Sequence, residues 1–221
     1  MKGHKFYNKS HKEQNRILLS IAVSALAIIG LSIMLSIYSG VYLLGVFIFI
    51  ITLSIVAPFF DMPSLKKSGK VTYYSFLLIA EKPKNGTINI HGGTLFDYYF
   101  VIDRTMSGRQ RTTFIMQQYI EGLLALMEAH KHNEQLKIRA TSYIINERTA
   151  KAIGFNVVET DVLQKVILIF NYFNIMISIS IAKNRLSFPK LTQTKTFEAN
   201  LSQLLEQKEF IEKINTSLFR S

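Results

Sequence analysis

From Ile17 to Phe60 the chain carries no Asp, Glu, Lys, Arg or His, an uncharged run of about 44 residues. One membrane crossing takes roughly 20 apolar residues, because a helix rises about 1.5 Å per residue through a hydrocarbon layer of about 30 Å. The run is too long for one crossing and fits two. Its natural break is Tyr38-Ser39-Gly40, where Gly40 turns the chain without a side-chain penalty. The pattern predicts a transmembrane helical hairpin, Ile17 to Ile37 and Val41 to Phe60. A secretory leader also places apolar residues behind basic ones, but its apolar core spans only about 7–15 residues.

The flanks set the expected orientation. Lys2, Lys5, Lys9, Lys12 and Arg16 stand before the run against Glu13, and Lys66, Lys67 and Lys70 follow it against Asp61. Short cationic flanks stay on the cytoplasmic side. The expected organisation is a basic cytoplasmic leader (residues 1–16), the hairpin (17–60), a polar linker (61–70) and a cytosolic α+β domain (71–221). The expected location is the inner (plasma) membrane, as a multi-pass protein with both termini cytoplasmic.

The formal net charge is +11, of which about +7 lies outside the leader. A basic domain beside a bilayer is drawn to anionic lipid headgroups, each Lys or Arg contributing about 1 kcal/mol. A phosphorylated ligand is the other anion it suits. No RNA-recognition, zinc-finger or basic-zipper pattern points to nucleic acid. The chain has no cysteine, which excludes disulfides, thiolate nucleophiles, iron–sulfur ligation and cysteine-based zinc sites.

Beyond the linker, Val71 to Ala80 reads as a strand, and Asn85-Gly86 as a hairpin turn. Thr87 to His91 and Leu95 to Ile102 read as further strands, bent at Gly92-Gly93. Ser107 and Gln110 form a capping box before a helix whose stripe is Ile115, Tyr119, Leu123, Leu126 and Met127. Leu136 to Ile145 alternates as a strand, Glu147 to Ile153 reads as a short helix stopped by Gly154, and Asn156 to Thr160 as a short strand. Residues 166–182 are uncharged and fit either a buried helix followed by a strand or a third membrane span. Phe197, Leu201, Leu204, Ile211, Ile214 and Leu218 share one face of a terminal amphipathic helix.

Chemistry concentrates at Arg104 to Thr113. First turns of helices normally hold acidic residues, because the helix start carries partial positive charge. Here Arg109 and Arg111 occupy that turn. A bound phosphate reconciles the pattern, with Gly108 giving backbone approach and Ser107 or Thr112 donating hydroxyls. The alternatives are a solvated basic turn, or arginines that reach lipid phosphates or a nearby acid. His130 and His132 have the wrong spacing to share a helix face as metal ligands, and Glu121 and Glu128 lack the E-x-x-H partners of a di-iron site. His91-Gly92-Gly93 has no G-x-S-x-G nucleophile to serve. No metal is expected.

The succession of strand, arginine-bearing turn, long helix and strand, then INERTAKAIGF at Ile145 to Phe155, resembles the cofactor half of the acetyl-CoA-dependent N-acetyltransferase superfamily over about residues 104–155. The resemblance implies an N-acetyltransferase-like sheet with flanking helices. It implies coenzyme A, with Ser107, Gly108, Arg109, Gln110, Arg111 and Thr112 facing the pyrophosphate and Asn146 beside the pantetheine arm. The family pattern closes with a strand pair after this helix, and nothing after Phe155 clearly supplies it here. No catalytic base or acid is named by any motif. The expected activity is acyl transfer from coenzyme A to an amine, or ligand binding alone in a degenerate relative. Two non-enzymatic alternatives stand beside it: a membrane-tethered sensor, effector or scaffold binding a protein, lipid or anionic nucleotide, and a structural subunit of a membrane complex. Homo-oligomers could form through the small residues Ala27, Gly30, Ser36, Gly40 and Gly45 of the hairpin.

Overall fold

The computed structural model describes residues 3–133, 135–142, 145 and 147–219. It opens with two antiparallel helices, α1 (His11–Ser39) and α2 (Tyr42–Lys67), both long and apolar enough to cross a membrane. Gly40 joins them at φ 70°, a left-handed conformation that only glycine adopts at little cost. Gly45 lets α2 close on α1, since a Cβ there would lie 2.7 Å from Ser36 Oγ. Gly45 and Ser36 therefore serve the hairpin itself, whereas Gly30 faces open space.

One expectation at the hairpin's end changes. Residues 61–70 are not a separate polar linker, because α2 continues through Pro63 to Lys67. The basic leader packs against the domain. His4 and Phe6 are fully buried, with Phe6 packed edge-on against Phe96 at 5.0 Å and beside Phe100 at 5.2 Å. Aromatic burial on this scale outweighs the solvation of the neighbouring lysines, whose charged ends remain free to reach water.

The sheet has six strands in the order β1-β2-β3-β4-β6-β5: β1 (Val71–Tyr73), β2 (Leu78–Glu81), β3 (Thr87–Gly92), β4 (Lys137–Ser142), β5 (Asn156–Val158) and β6 (Lys195–Asn200). All neighbours are antiparallel except β3 and β4. Parallel neighbours need a crossover, supplied by α3 (Leu95–Val101) and α4 (Gly108–His130). Next come α5 (Glu147–Ala152), α6 (Val162–Phe170) and α7 (Tyr172–Lys183), and after β6 the chain ends in α8 (Leu201–Glu206) and α9 (Lys208–Phe219).

Several sequence expectations are corrected here. Val71 to Ala80 is two strands, because Ser75 Oγ accepts from the Leu77 and Leu78 amides and turns the chain, while donating to the Gln118 carbonyl at 2.6 Å. Leu95 to Ile102 is a helix: Asp97 Oδ2 accepts from the Thr94 amide at 2.7 Å, a cap that outweighs the β preference of its aromatic residues. The 166–182 stretch forms two helices bent by 68° at Asn171, with no strand. Nor does that stretch join opposite sides of a membrane, since β5 before it and β6 after it pair in one sheet. Phe197 lies in β6, and the terminal helix is broken at Gln207 between α8 and α9.

One face of the sheet packs Ile88, Ile90, Ile138, Phe197 and Ala199 against α4, α5, α8 and α9, with Leu123, Leu126, Met127, Leu204 and Ile211 at the centre. The opposite face near β1 and β2 is covered by the leader, α3 and the end of α2.

Candidate functional site

The start of α4 is built as the capping box predicts. Ser107 Oγ accepts from the Gln110 amide at 3.3 Å, and the Ser107 amide donates to Gln110 Oε1 at 2.8 Å. Its neighbours, however, are protein. A Cβ on Gly108 would collide with the Lys183 carbonyl, so the turn lies directly against the end of α7. Arg111 is buried and donates to three backbone carbonyls: Met106 at 3.0 Å, Ile181 at 2.8 Å and Arg104 at 2.8 Å. The negative end of α7 thus supplies the compensation that the basic turn requires. Thr112 Oγ1 donates back to the Gly108 carbonyl at 2.8 Å. Arg109 is exposed on the surface. The predicted anion cradle is therefore divided: Ser107 and Gln110 cap, Gly108 and Arg111 grip α7, and Arg109 alone of the two first-turn arginines faces solvent. Asn146 lies outside the described residues.

A different site forms where the parallel strands part. The β3–β4 pairing ends at Ile90 and Ala140, after which β3 stays with β2 and β4 with β6. Beyond that fork lies a cavity of about 370 Å³. Its floor is Leu78, Ile90, Ala140 and Phe197; α4 contributes Tyr119, Ile120 and Leu123, α5 contributes Ala150, and Ile153 follows just after α5. The remaining wall comes from Pro58 of α2 and from Asn174, Ile175 and Ser178 of α7. Open α/β sheets place ligands at the carboxyl ends of parallel strands, and the volume sits within the range of small-molecule sites.

No Asp, Glu, Lys or Arg lines this cavity, and His91 is its one histidine. Tyr119 and Tyr98 share a hydroxyl–hydroxyl bond of 3.0 Å. Burial pushes the Tyr119 hydroxyl above the ordinary tyrosine range, so it stays protonated and can donate. A Cβ on Gly92 would lie 2.6 Å from that hydroxyl, so the close approach requires glycine. Asn174 donates to the Ser54 carbonyl at 3.2 Å. That carbonyl is four residues before Pro58, whose missing amide leaves it without its helical donor.

Beside the fork, His91 Nε2 lies 2.7 Å from Glu81 Oε1, and Asn89 donates to Glu81 Oε2 at 3.2 Å. The bond to His91 holds the Glu81 carboxyl below the ordinary carboxylate range. A second, polar cavity of about 220 Å³ touches Glu81, His91, Arg139, Thr141 and Asp161, and meets the first at Ile90, His91 and Thr141. Among the described residues, no group of three or more His, Cys, Asp or Glu is placed to hold a metal ion. His130 instead shares a 2.8 Å hydrogen bond with the Tyr74 hydroxyl.

Comparison with protein-family models, with characterised proteins and with solved structures finds no match. The class that fold and site define is an α+β domain joined to two helices long and apolar enough to cross a membrane, with an apolar cavity at the fork of its parallel strands. Sequence reasoning missed Tyr98, Asn174 and Ser178 as cavity residues. The available signal was Pro58 inside an apolar helix, which demands a donor for Ser54, together with two asparagines in the otherwise apolar 166–182 run.

Proposed function

We propose that the chain is a membrane-tethered, non-enzymatic sensor or effector domain that holds the apolar part of a lipid-derived ligand at the strand fork. The observation that carries this is the lining of the 370 Å³ cavity: predominantly apolar, with neutral polar groups and a single titratable histidine at one edge. Desolvating a phosphate there would be costly, whereas an acyl chain gains about 25 cal/mol per Å² buried. A small polar end of the ligand meets Tyr119, Thr94 or Asn174. The basic flanks support residence in the inner membrane with both termini cytoplasmic.

The test uses the full chain in nanodiscs and displacement of a fluorescent fatty acid. Ser178→Leu on α7 fills part of the cavity. It should weaken capture roughly tenfold, about 1.4 kcal/mol, while leaving the melting temperature equal or higher. Unchanged capture by the variant, or none by the native chain, rejects the proposal.

A second reading, acyl transfer from coenzyme A, is favoured by one observation. The strand pair that the N-acetyltransferase pattern needs after Phe155 is present as β5 and β6, separated by the α6–α7 excursion. In that reading the acyl chain enters the fork and Arg109 meets phosphate from the exposed side of the turn. Calorimetry with coenzyme A on the native chain and on Arg109→Ala tests it; no binding to the native chain removes it.

A further inference from the structure

We infer that α6 and the Asn171 corner form a re-entrant membrane element, dipping into the leaflet through which α2 leaves the bilayer and returning on the same side. Four observations support this and none depends on what fills the cavity. First, the excursion starts from β5 and ends in β6, which pair with each other, so both ends stay on one side. Second, α6 buries none of its residues, and Val162, Leu163, Val166, Ile169 and Phe170 are each more than half exposed. Lys165 is exposed among them, near the start of α6, where its long stem can carry the charge back to water; the rest of that surface suits hydrocarbon.

Third, the corner is pinned to the uncharged part of α2. Asn174 bonds the Ser54 carbonyl, and the Phe173 ring meets Phe47 edge-on at 6.2 Å. Phe47 lies about 20 Å along α2 from Phe60, at 1.5 Å per residue, well inside the charge-free run. Fourth, the corner makes local hydrogen bonds of the kind that hydrocarbon favours. The Asn171 amide and side chain both donate to the Ile167 carbonyl, the Ile175 amide donates to the Asn171 carbonyl, and Ser178 Oγ donates to the Asn174 carbonyl. The face of α6 is thus continuous with the lipid-facing surface of the hairpin, and the leaflet is its occupant.

The chain has no tryptophan, so Phe170→Trp introduces a lone indole with little change in shape. Full-length protein carrying it is placed in vesicles containing lipids with brominated acyl chains, and quenching is compared with aqueous iodide. Phe49→Trp in α2 gives the hydrocarbon reference and Leu186→Trp, just past α7, the water reference. Bromolipid quenching at position 170 should fall within about twofold of that at position 49, as expected for burial in hydrocarbon, with iodide ineffective. An iodide response matching that at position 186 overturns the inference. Protection from both quenchers also overturns it, because it assigns the face to protein, either a second copy or another partner. Native circular dichroism of each variant shows that a changed signal is not misfolding.

Discussion

Replacing Arg111 by alanine removes one of the few charged side chains that the fold buries. Its guanidinium donates to the Met106, Ile181 and Arg104 carbonyls at 3.0, 2.8 and 2.8 Å. Hydrogen bonds from a charged donor contribute about 1.5–3 kcal/mol each. Against the three stand about 2 kcal/mol of side-chain entropy and a desolvation cost of several kcal/mol. The expected net loss is about 3 kcal/mol, and in a chain of this size each kcal/mol moves Tm by about 2–4 °C. Arg111→Ala should therefore melt about 6–12 °C lower, followed by circular dichroism in detergent. Arg111→Lys should recover part of the loss, since one ammonium reaches fewer carbonyls in this geometry. Arg109→Ala, two residues away but exposed, should stay within about 0.5 kcal/mol of the native chain. Equal shifts for Arg109→Ala and Arg111→Ala would refute the assignment of Arg111 to the α4–α7 contact. A phosphate-binding Arg111 would show differently: pyrophosphate would raise the native Tm and leave that of Arg111→Ala unmoved.

Asn174→Ala should cost about 1 kcal/mol by leaving the Ser54 carbonyl without a donor. Pro58→Ala restores the helical donor, so the double variant should lose less than the single one; strict additivity in unfolding experiments would contradict the pairing. Phe6→Ala empties a fully buried site and should destabilise by about 3–5 kcal/mol, whereas a leader that merely trails in solvent would show no change. Lys195 at 2.7 Å and Lys151 at 3.0 Å hold the Glu147 carboxyl down to about 2. A depressed carboxylate stabilises above its unfolded value and loses that contribution as pH falls through the folded one. Carboxyl-detected NMR should place its midpoint near 2, and a midpoint in the ordinary glutamate range would contradict the paired geometry.

The parts legible in the sequence were those fixed by local chemistry. The hairpin break at Gly40, the Ser107–Gln110 box and the stop at Gly154 all depend on one residue's backbone freedom or on a partner three positions away. Thr94 and Asp97 carried the same kind of signal for α3. It was masked because six of the seven residues of α3 are buried, which erases the periodicity by which a helix is recognised. The candidate site was much less legible. Whether Arg111 meets a phosphate or the Ile181 carbonyl depends on a helix end 70 residues away, and no local pattern encodes that. The cavity arises where two strands diverge, a property of pairing and not of any one segment. Pro58 removes the amide that the Ser54 carbonyl needs and Asn174, 120 residues from Ser54, supplies another, a pairing that no local pattern encodes.

The contact between the leader and α3 also bears on how the protein is made. His4 meets Asp97 across 93 residues of chain, so the groove that receives it exists only after both long apolar helices and the strands β1, β2 and β3 have been synthesised. Once Phe96 and Phe100 emerge, the leader locks beside the end of α2, and the domain is tied to the pair of long helices at two points instead of one. It can then no longer swivel about a single stalk, and the strand fork is presented at one height and one angle.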